Sequence, residues 1–212
     1  MKVAIIGATG FVGSALLKEA VARGHKVTAL VFNPSKVPTS DNVIALQADV
    51  LDQESLAAKL KGHDAVISAF SGHAQSDVLG YYVQGIQSII SATKKADVLR
   101  LLVVGGAGGL EVAPGVQLID TPQFPEQWKA TAEGAREALK LLRKEQELSW
   151  TVLAPSAHLE PGQRTGKFRI GKDQLIVDEA GGSHISLEDY AVAMIDELEK
   201  PAHKRSRFTV GY

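Results

Sequence analysis

Few residues in this chain have both the type and the placement to do chemistry. The clearest set is three glycines, Gly7, Gly10 and Gly13, in the opening MKVAIIGATGFVGSALL. They stand where an apolar run hands over to an amphipathic one. With no side chain, glycine permits a tight turn and lets another group approach the backbone. At a strand-to-helix junction these properties make an anion site, because the first N–H groups of a helix are free and carry partial positive charge. Gly7 would form the turn, Gly10 would leave room for a pyrophosphate, and Gly13 would bring helix and sheet together. Thr9, Phe11 and Val12 would supply or flank the amides. The spacing is G-x-x-G-x-x-G rather than G-x-G-x-x-G, so its meaning comes from its place between a strand and a helix.

Other reactive groups are sparse. There is no cysteine, which excludes disulfides, thiolate catalysis, iron–sulfur clusters and zinc–thiolate sites. His25, His63, His73, His184 and His203 show no metal-ligand spacing. In SHISLED, His184 lies near Glu188 and Asp189, but three ligands would need more, so no metal is expected. His158 stands apart, in APSAHLEPG just after an apolar run. The formal net charge of −1 gives no basis for nucleic acid or an anionic membrane as partner. The start lacks a signal-peptide pattern, and no apolar stretch nears the roughly 20 residues of a membrane helix. A cytoplasmic protein, monomer or homodimer, is expected.

The elements that must position these residues alternate. Strands are expected at Lys2–Ile6, Lys26–Val31, Val43–Gln47, Asp64–Phe70, Val98–Gly106 and Leu148–Pro155. Helices are expected at Phe11–Ala22, Asp52–Leu60, Val78–Lys95, with Gly85 a weak spot, and Glu126–Gln146. Leu110–Phe124 reads as irregular. Such alternation predicts one α/β domain over residues 1–212, a doubly wound, mostly parallel sheet with helices on both faces. A small carboxyl-terminal lobe on the substrate side is expected at residues 155–190. Within it, RTGKFRIGKDQLIV suggests a hairpin. Ser186 would cap a final helix, with Asp189 placed for a capping box, and RFTVGY would be a last strand.

GATGFVG, ADV at Ala48–Val50, DAVISAF and LLVVGGAGG together resemble the short-chain dehydrogenase/reductase superfamily in its atypical branch. More narrowly, the chain is similar to the NADH–flavin reductase group related to biliverdin-IXβ/flavin reductases. WTVLAPSAHLEPGQRTGKFRIG and SHISLEDYAVAMIDELE extend the likeness to nearly the whole chain. The resemblance implies a Rossmann fold and a nicotinamide dinucleotide. It places Gly7, Thr9, Gly10, Phe11 and Val12 on pyrophosphate, and Asp49 and Val50 at the adenine. Ala69 and Phe70 would flank the riboses, and Gly105 and Gly106 would border the nicotinamide; Pro155, at the end of the sixth strand, is also expected at the cofactor. An NAD site usually ends its second strand in Asp or Glu, and an NADP site uses Arg. Here that position is Phe32, which is neither. Lys36, four residues on, could reach a 2′-phosphate and tilts the expectation to NADP(H) over NAD(H).

The superfamily's usual proton donor is a Tyr four residues before a Lys, with a Ser at the end of the fifth strand. Lys129 has Pro125 in the Tyr position, the fifth strand ends in Gly105–Gly106, and neither Tyr81 nor Tyr82 precedes a Lys at that spacing. Reducing a ketone creates an alkoxide that needs such an acid. Hydride transfer to a flavin nitrogen does not. The expected activity is therefore an NAD(P)H-dependent reductase acting on a small-molecule acceptor of FMN or FAD type. A dinucleotide-binding redox sensor without turnover and an epimerase/dehydratase-like enzyme are the alternatives. His158 would contact substrate, Arg164 could hold a flavin phosphate or brace a turn, and Trp128 could line the pocket or pack.

Overall fold

The computed structural model describes residues 1–212. The first half alternates as the sequence predicts: β1 (Lys2–Ile6), α1 (Phe11–Ala22), β2 (Lys26–Val31), β3 (Val43–Gln47), α2 (Gln53–Leu60), β4 (Ala65–Ser68), α3 (Val78–Lys95) and β5 (Arg100–Val104). The second half adds β6 (Glu111–Ala113), β7 (Val116–Gln117), α4 (Glu126–Lys144), β8 (Ser149–Ala154), β9 (His158–Glu160), β10 (Arg169–Gly171), β11 (His184–Ser186), α5 (Leu187–Glu199) and β12 (Ser206–Gly211).

Eight strands form one sheet in the order β10-β12-β8-β5-β4-β1-β2-β3. Every pairing is parallel except β10 with β12. The order reverses at β1, whose neighbours are β2 and β4, which opens a crevice beyond the carboxyl ends of those strands. This is the Rossmann arrangement.

Both faces are covered, which is why the central strands read as unbroken apolar runs. Val3 and Ile5 point to a core closed by Leu16 and Ala20 of α1 and by Tyr190, Met194 and Ile195 of α5. Ala4 and Ile6 point the other way, to Leu56 and Leu60 of α2, Ile86 and Ile89 of α3 and Leu142 of α4. Gly85 is no weak spot. A Cβ there would overlap the Phe70 ring, so its absence lets α3 close on that ring.

Two local expectations fail. The segment over 164–177 is not a self-contained hairpin. Its strand β10 pairs with β12, about forty residues downstream, while Gln174 bridges to Glu111. The stretch 110–124 contains the short antiparallel pair β6–β7. Beyond β8 the chain forms β9, which pairs in parallel with β11 and puts His158 directly opposite His184. Half a capping box is present at α5. Ser186 Oγ accepts from Asp189 N, but the Asp189 carboxylate turns to Thr165, Gly166 and Tyr212 instead of reaching back.

Candidate functional site

The glycine loop occupies the switch point. Gly7 adopts φ +79, and a Cβ there would lie 2.7 Å from the Ala69 carbonyl oxygen. Gly13 is packed so tightly that a Cβ would overlap the Gly7 carbonyl. Gly10 differs. Its only near atom would be Gly7 O at 3.3 Å, so its missing side chain opens the loop outward. Gly10 caps α1 with extended backbone and no side-chain hydrogen bond, and the helix has no acidic residue in its first turn. The N–H groups of Phe11, Val12 and Gly13 therefore point out of the helix start without a side-chain acceptor. By contrast, Asp52, Asp77 and Ser186 cap α2, α3 and α5. An uncapped helix start beside an outward-open glycine fits a phosphate group.

The parallel registers bring the other loops to the same edge. Ile6 pairs with Leu30 and Ser68, Ser68 with Val103, and Val104 with Leu153. The residues just beyond these partners are Gly7, Ala69–Phe70, Gly105–Gly106 and Pro155. Gly7 N donates to Leu30 O, Ala69 N to Ile6 O, and Gly105 N to Leu153 O, which ties the loops to their neighbouring strands. Ala69, Gly105 and Gly106 are half-buried, and Pro155 is buried. Phe32 stands 82% exposed at the end of β2. Lys36 is exposed on a turn that Asn33 caps by accepting from Ser35 N. Asp49 is exposed and turns its Oδ1 to Leu51 N at 2.9 Å.

Two residues expected at the cofactor present something other than their side chains. Val50 is buried with Leu30 and Leu56, so only its backbone borders the crevice. The ring of Phe70 turns into α3, stacked on Tyr82 at 5.9 Å and edge-on to Tyr81 at 5.3 Å. Apolar area inside the sheet–α3 layer outcompetes exposure beside a ribose. Arg164 is also committed elsewhere. Its guanidinium grips Glu19 of α1 through two bonds of 2.8 and 2.7 Å, and this pairing, ahead of the contact with Arg23, holds the Glu19 carboxyl below its ordinary range.

Three of the four tyrosines are buried or bonded within the protein, and Tyr81 is half-buried with its hydroxyl unpaired. Tyr82 is buried, which pushes it up to about 12. Tyr190 is buried, raised well above its ordinary value by that burial, and donates to Leu153 O. Tyr81 is raised by burial and then by Asp49. Burial also raises Tyr212, whose hydroxyl is bound at Ser186 Oγ and Asp189 Oδ2. The face of α4 toward the β5 loop carries Ala132 against Gly108 and Ala135 against Gly106. His158 is exposed on β9, its backbone N donating to Ser183 O. No group of three or more His, Asp or Glu side chains is placed to hold a metal ion.

The NAD(P)H-binding family profile matches residues 7–201, from the glycine loop to the end of α5. The chain belongs to the NAD(P)H-binding family. Its architecture is that of the atypical short-chain dehydrogenase/reductases. The YwnB protein of Bacillus subtilis is 47% identical over 99% of this chain and 98% of its own length. Among solved structures, a proposed epimerase from Bacteroides thetaiotaomicron is 46% identical, with a TM-score of 0.93 over 100% of this chain and 96% of that one. A proposed NADH-flavin reductase from Streptococcus pneumoniae is 36% identical, with a TM-score of 0.88 over 100% and 99%.

Sequence reasoning passed over one arrangement at this edge. Trp128, half exposed in the first turn of α4, meets His73 from the loop after β4, ring centroids 6.1 Å apart and perpendicular at 89°. Thr131 Oγ lies 3.2 Å from His73 Nε2. Their 58-residue separation and different elements leave no motif to read.

Proposed function

We propose that this chain is an NAD(P)H-dependent reductase that passes hydride to a flavin-like conjugated acceptor without a side-chain proton donor. The observation that carries this is the chemistry of the nicotinamide end. Gly105 and Gly106 stand where a catalytic Ser would be, α4 offers alanines, and no Tyr lies four residues before a Lys.

The residues divide the work simply. The α1 N–H groups and Gly10 would hold the pyrophosphate, with Thr9, Phe11 and Val12 around it. Asp49 and the Val50 backbone would border the adenine, and Phe32 would offer an exposed ring there. Lys36 would meet a 2′-phosphate, which favours NADP(H). Ala69 would border the riboses, and Gly105, Gly106 and Pro155 would leave a flat, uncrowded floor for the nicotinamide. Bound NAD(P)H supplies the hydride. The protein then acts by proximity and orientation. Reduction at a conjugated ring nitrogen spreads the charge, so water can deliver the proton. His158 would contact the acceptor rather than protonate it. A chain without cysteine suits the reducing cytoplasm, where we place this activity.

The same missing acid favours a second reading, a dinucleotide sensor that binds without turnover. An epimerase would need acid–base groups at the nicotinamide, and Gly105–Gly106 offers none. Following NADPH oxidation with FMN, riboflavin and a simple ketone separates the cases. Reduction of flavins but not the ketone is expected. Ketone reduction, or NADPH binding with no oxidation by any acceptor, contradicts the proposal.

A further inference from the structure

We propose that Trp128 and His73 form the recognition corner for the acceptor, built for a flat conjugated ring that carries a carbonyl on its edge. This assignment rests on the reductase function proposed above and names what that function selects.

The geometry of α4 directs Trp128 over the crevice. Trp128 and Ala135 are seven residues apart, so they differ by only about 20° around the helix. Ala135 faces Gly106, and Ala132, one turn after Trp128, faces Gly108. Trp128 therefore continues the stripe that rests on the β5 loop. It stands about 10 Å farther along the helix than Ala135, beyond the carboxyl edge of the sheet. Its indole is 50% exposed. The other tryptophan, Trp150, is 3% exposed and donates its Nε1–H to Glu145 O.

His73 supplies the second wall. It comes from the loop after β4, the strand beside β5. If Thr131 donates to His73 Nε2, the opposite nitrogen, Nδ1, carries the hydrogen of the neutral ring. Nδ1 has no protein partner. The corner thus sets a half-exposed indole at right angles to an imidazole whose unpartnered Nδ1 is a donor in the tautomer in which Thr131 donates to Nε2. A ring stacked on the indole brings its edge, with a carbonyl acceptor, against that donor. Stacking is tolerant of ring identity, while the N–H requires an acceptor atom. An isoalloxazine and a quinone share this chemistry.

The test uses the full chain with Trp150→Phe, so that Trp128 is the sole tryptophan. With NADP+ present, FMN, a water-soluble naphthoquinone and pyruvate are titrated while Trp128 emission and its quenching by acrylamide are followed. Should that variant fail to fold, the difference between the native chain and Trp128→Phe gives the same signal. Saturable quenching and shielding by FMN or the quinone, but not by pyruvate, are expected, and which of the two acts identifies the acceptor class. In turnover, Trp128→Leu should raise the acceptor KM about ten-fold, leave NADPH affinity unchanged, and be largely rescued by Trp128→Phe. His73→Ala should raise the KM for the carbonyl-bearing rings.

Unchanged emission and shielding at saturating FMN and quinone, with NADP+ bound, overturns the corner. So does an unchanged KM in Trp128→Leu, although turnover itself would uphold the reductase. Saturable quenching in a protein that oxidises no NADPH keeps the corner and sinks the reductase. Shielding of Trp128 that grows with protein concentration alone would mean a second copy sits there, and overturns the proposal.

Discussion

Gly10 and Gly13 lie three residues apart and should answer the same substitution differently. A methyl group at Gly13 overlaps the Gly7 carbonyl, so Gly13→Ala should cost about 1–3 kcal/mol of stability, read from the urea midpoint. At Gly10 the methyl group meets only Gly7 O at 3.3 Å. Gly10→Ala should keep the fold yet weaken NADPH at least roughly ten-fold by nicotinamide fluorescence titration, because it fills the approach to the α1 N–H groups. Equal loss of stability in both variants would contradict this division. Lys36→Ala should lower NADPH affinity a few-fold and leave NADH unchanged, the modest effect of one exposed charge. The sequence pointed to the residues proposed to act through backbone, since a glycine spacing is a backbone statement. It could not reveal the direction of a side chain. Phe70 turning into α3, Arg164 seized by Glu19, and Trp128 meeting His73 all depend on partners far away in the chain.

Elements far apart in the chain are locked by buried charge. Arg100, at the start of β5, donates to Thr151 Oγ1 at 2.7 Å and to Glu197 Oε1 of α5 at 2.8 Å. Glu197 also accepts from the ring and backbone of His203 and from Ala202 N. Burial opposes its charge, yet the His203 and Ala202 bonds and Arg100 hold its carboxyl below the ordinary value of 4.5. Removing one partner strands the other, so Glu197→Ala should cost about 3 kcal/mol. Asp189 and Glu19 are depressed likewise, Asp189 by Thr165, Tyr212 and two backbone N–H groups against its burial. A folded value below the unfolded one means the stabilisation is complete above the unfolded value. It is lost as pH falls through the folded one. The urea midpoint should be flat from about pH 8 to 6 and fall below about pH 4.5. A fall that begins near neutrality would implicate histidines instead. The regular elements were legible because their apolar periodicity is local. The pairing of β10 with β12 was not, since a three-residue strand takes its partner from the fold, and turn residues say only where a chain bends.

At the scale of the whole molecule, residues near the carboxyl terminus complete the fold that holds the glycine loop. Strand β12 lies between β8 and β10 and buries Phe208 and Val210 in the same core as Val3, Ile5 and Leu16. Helix α5 packs against α1, whose start is the proposed phosphate site. Removing residues 202–212 should therefore abolish cooperative unfolding and NADPH binding together. A truncated chain that still binds NADPH would show the glycine loop to be independent of this edge. The central claim is that the nicotinamide end reduces a conjugated acceptor with no protein acid. The most direct measurement is NADPH oxidation by the purified chain at varied FMN, against a control without protein, from pH 6 to 9. The account predicts saturable turnover well above the control, with a maximal rate that is nearly independent of pH. NADPH bound in the same cuvette but left unoxidised, or a rate that collapses as one group loses its proton, would contradict it.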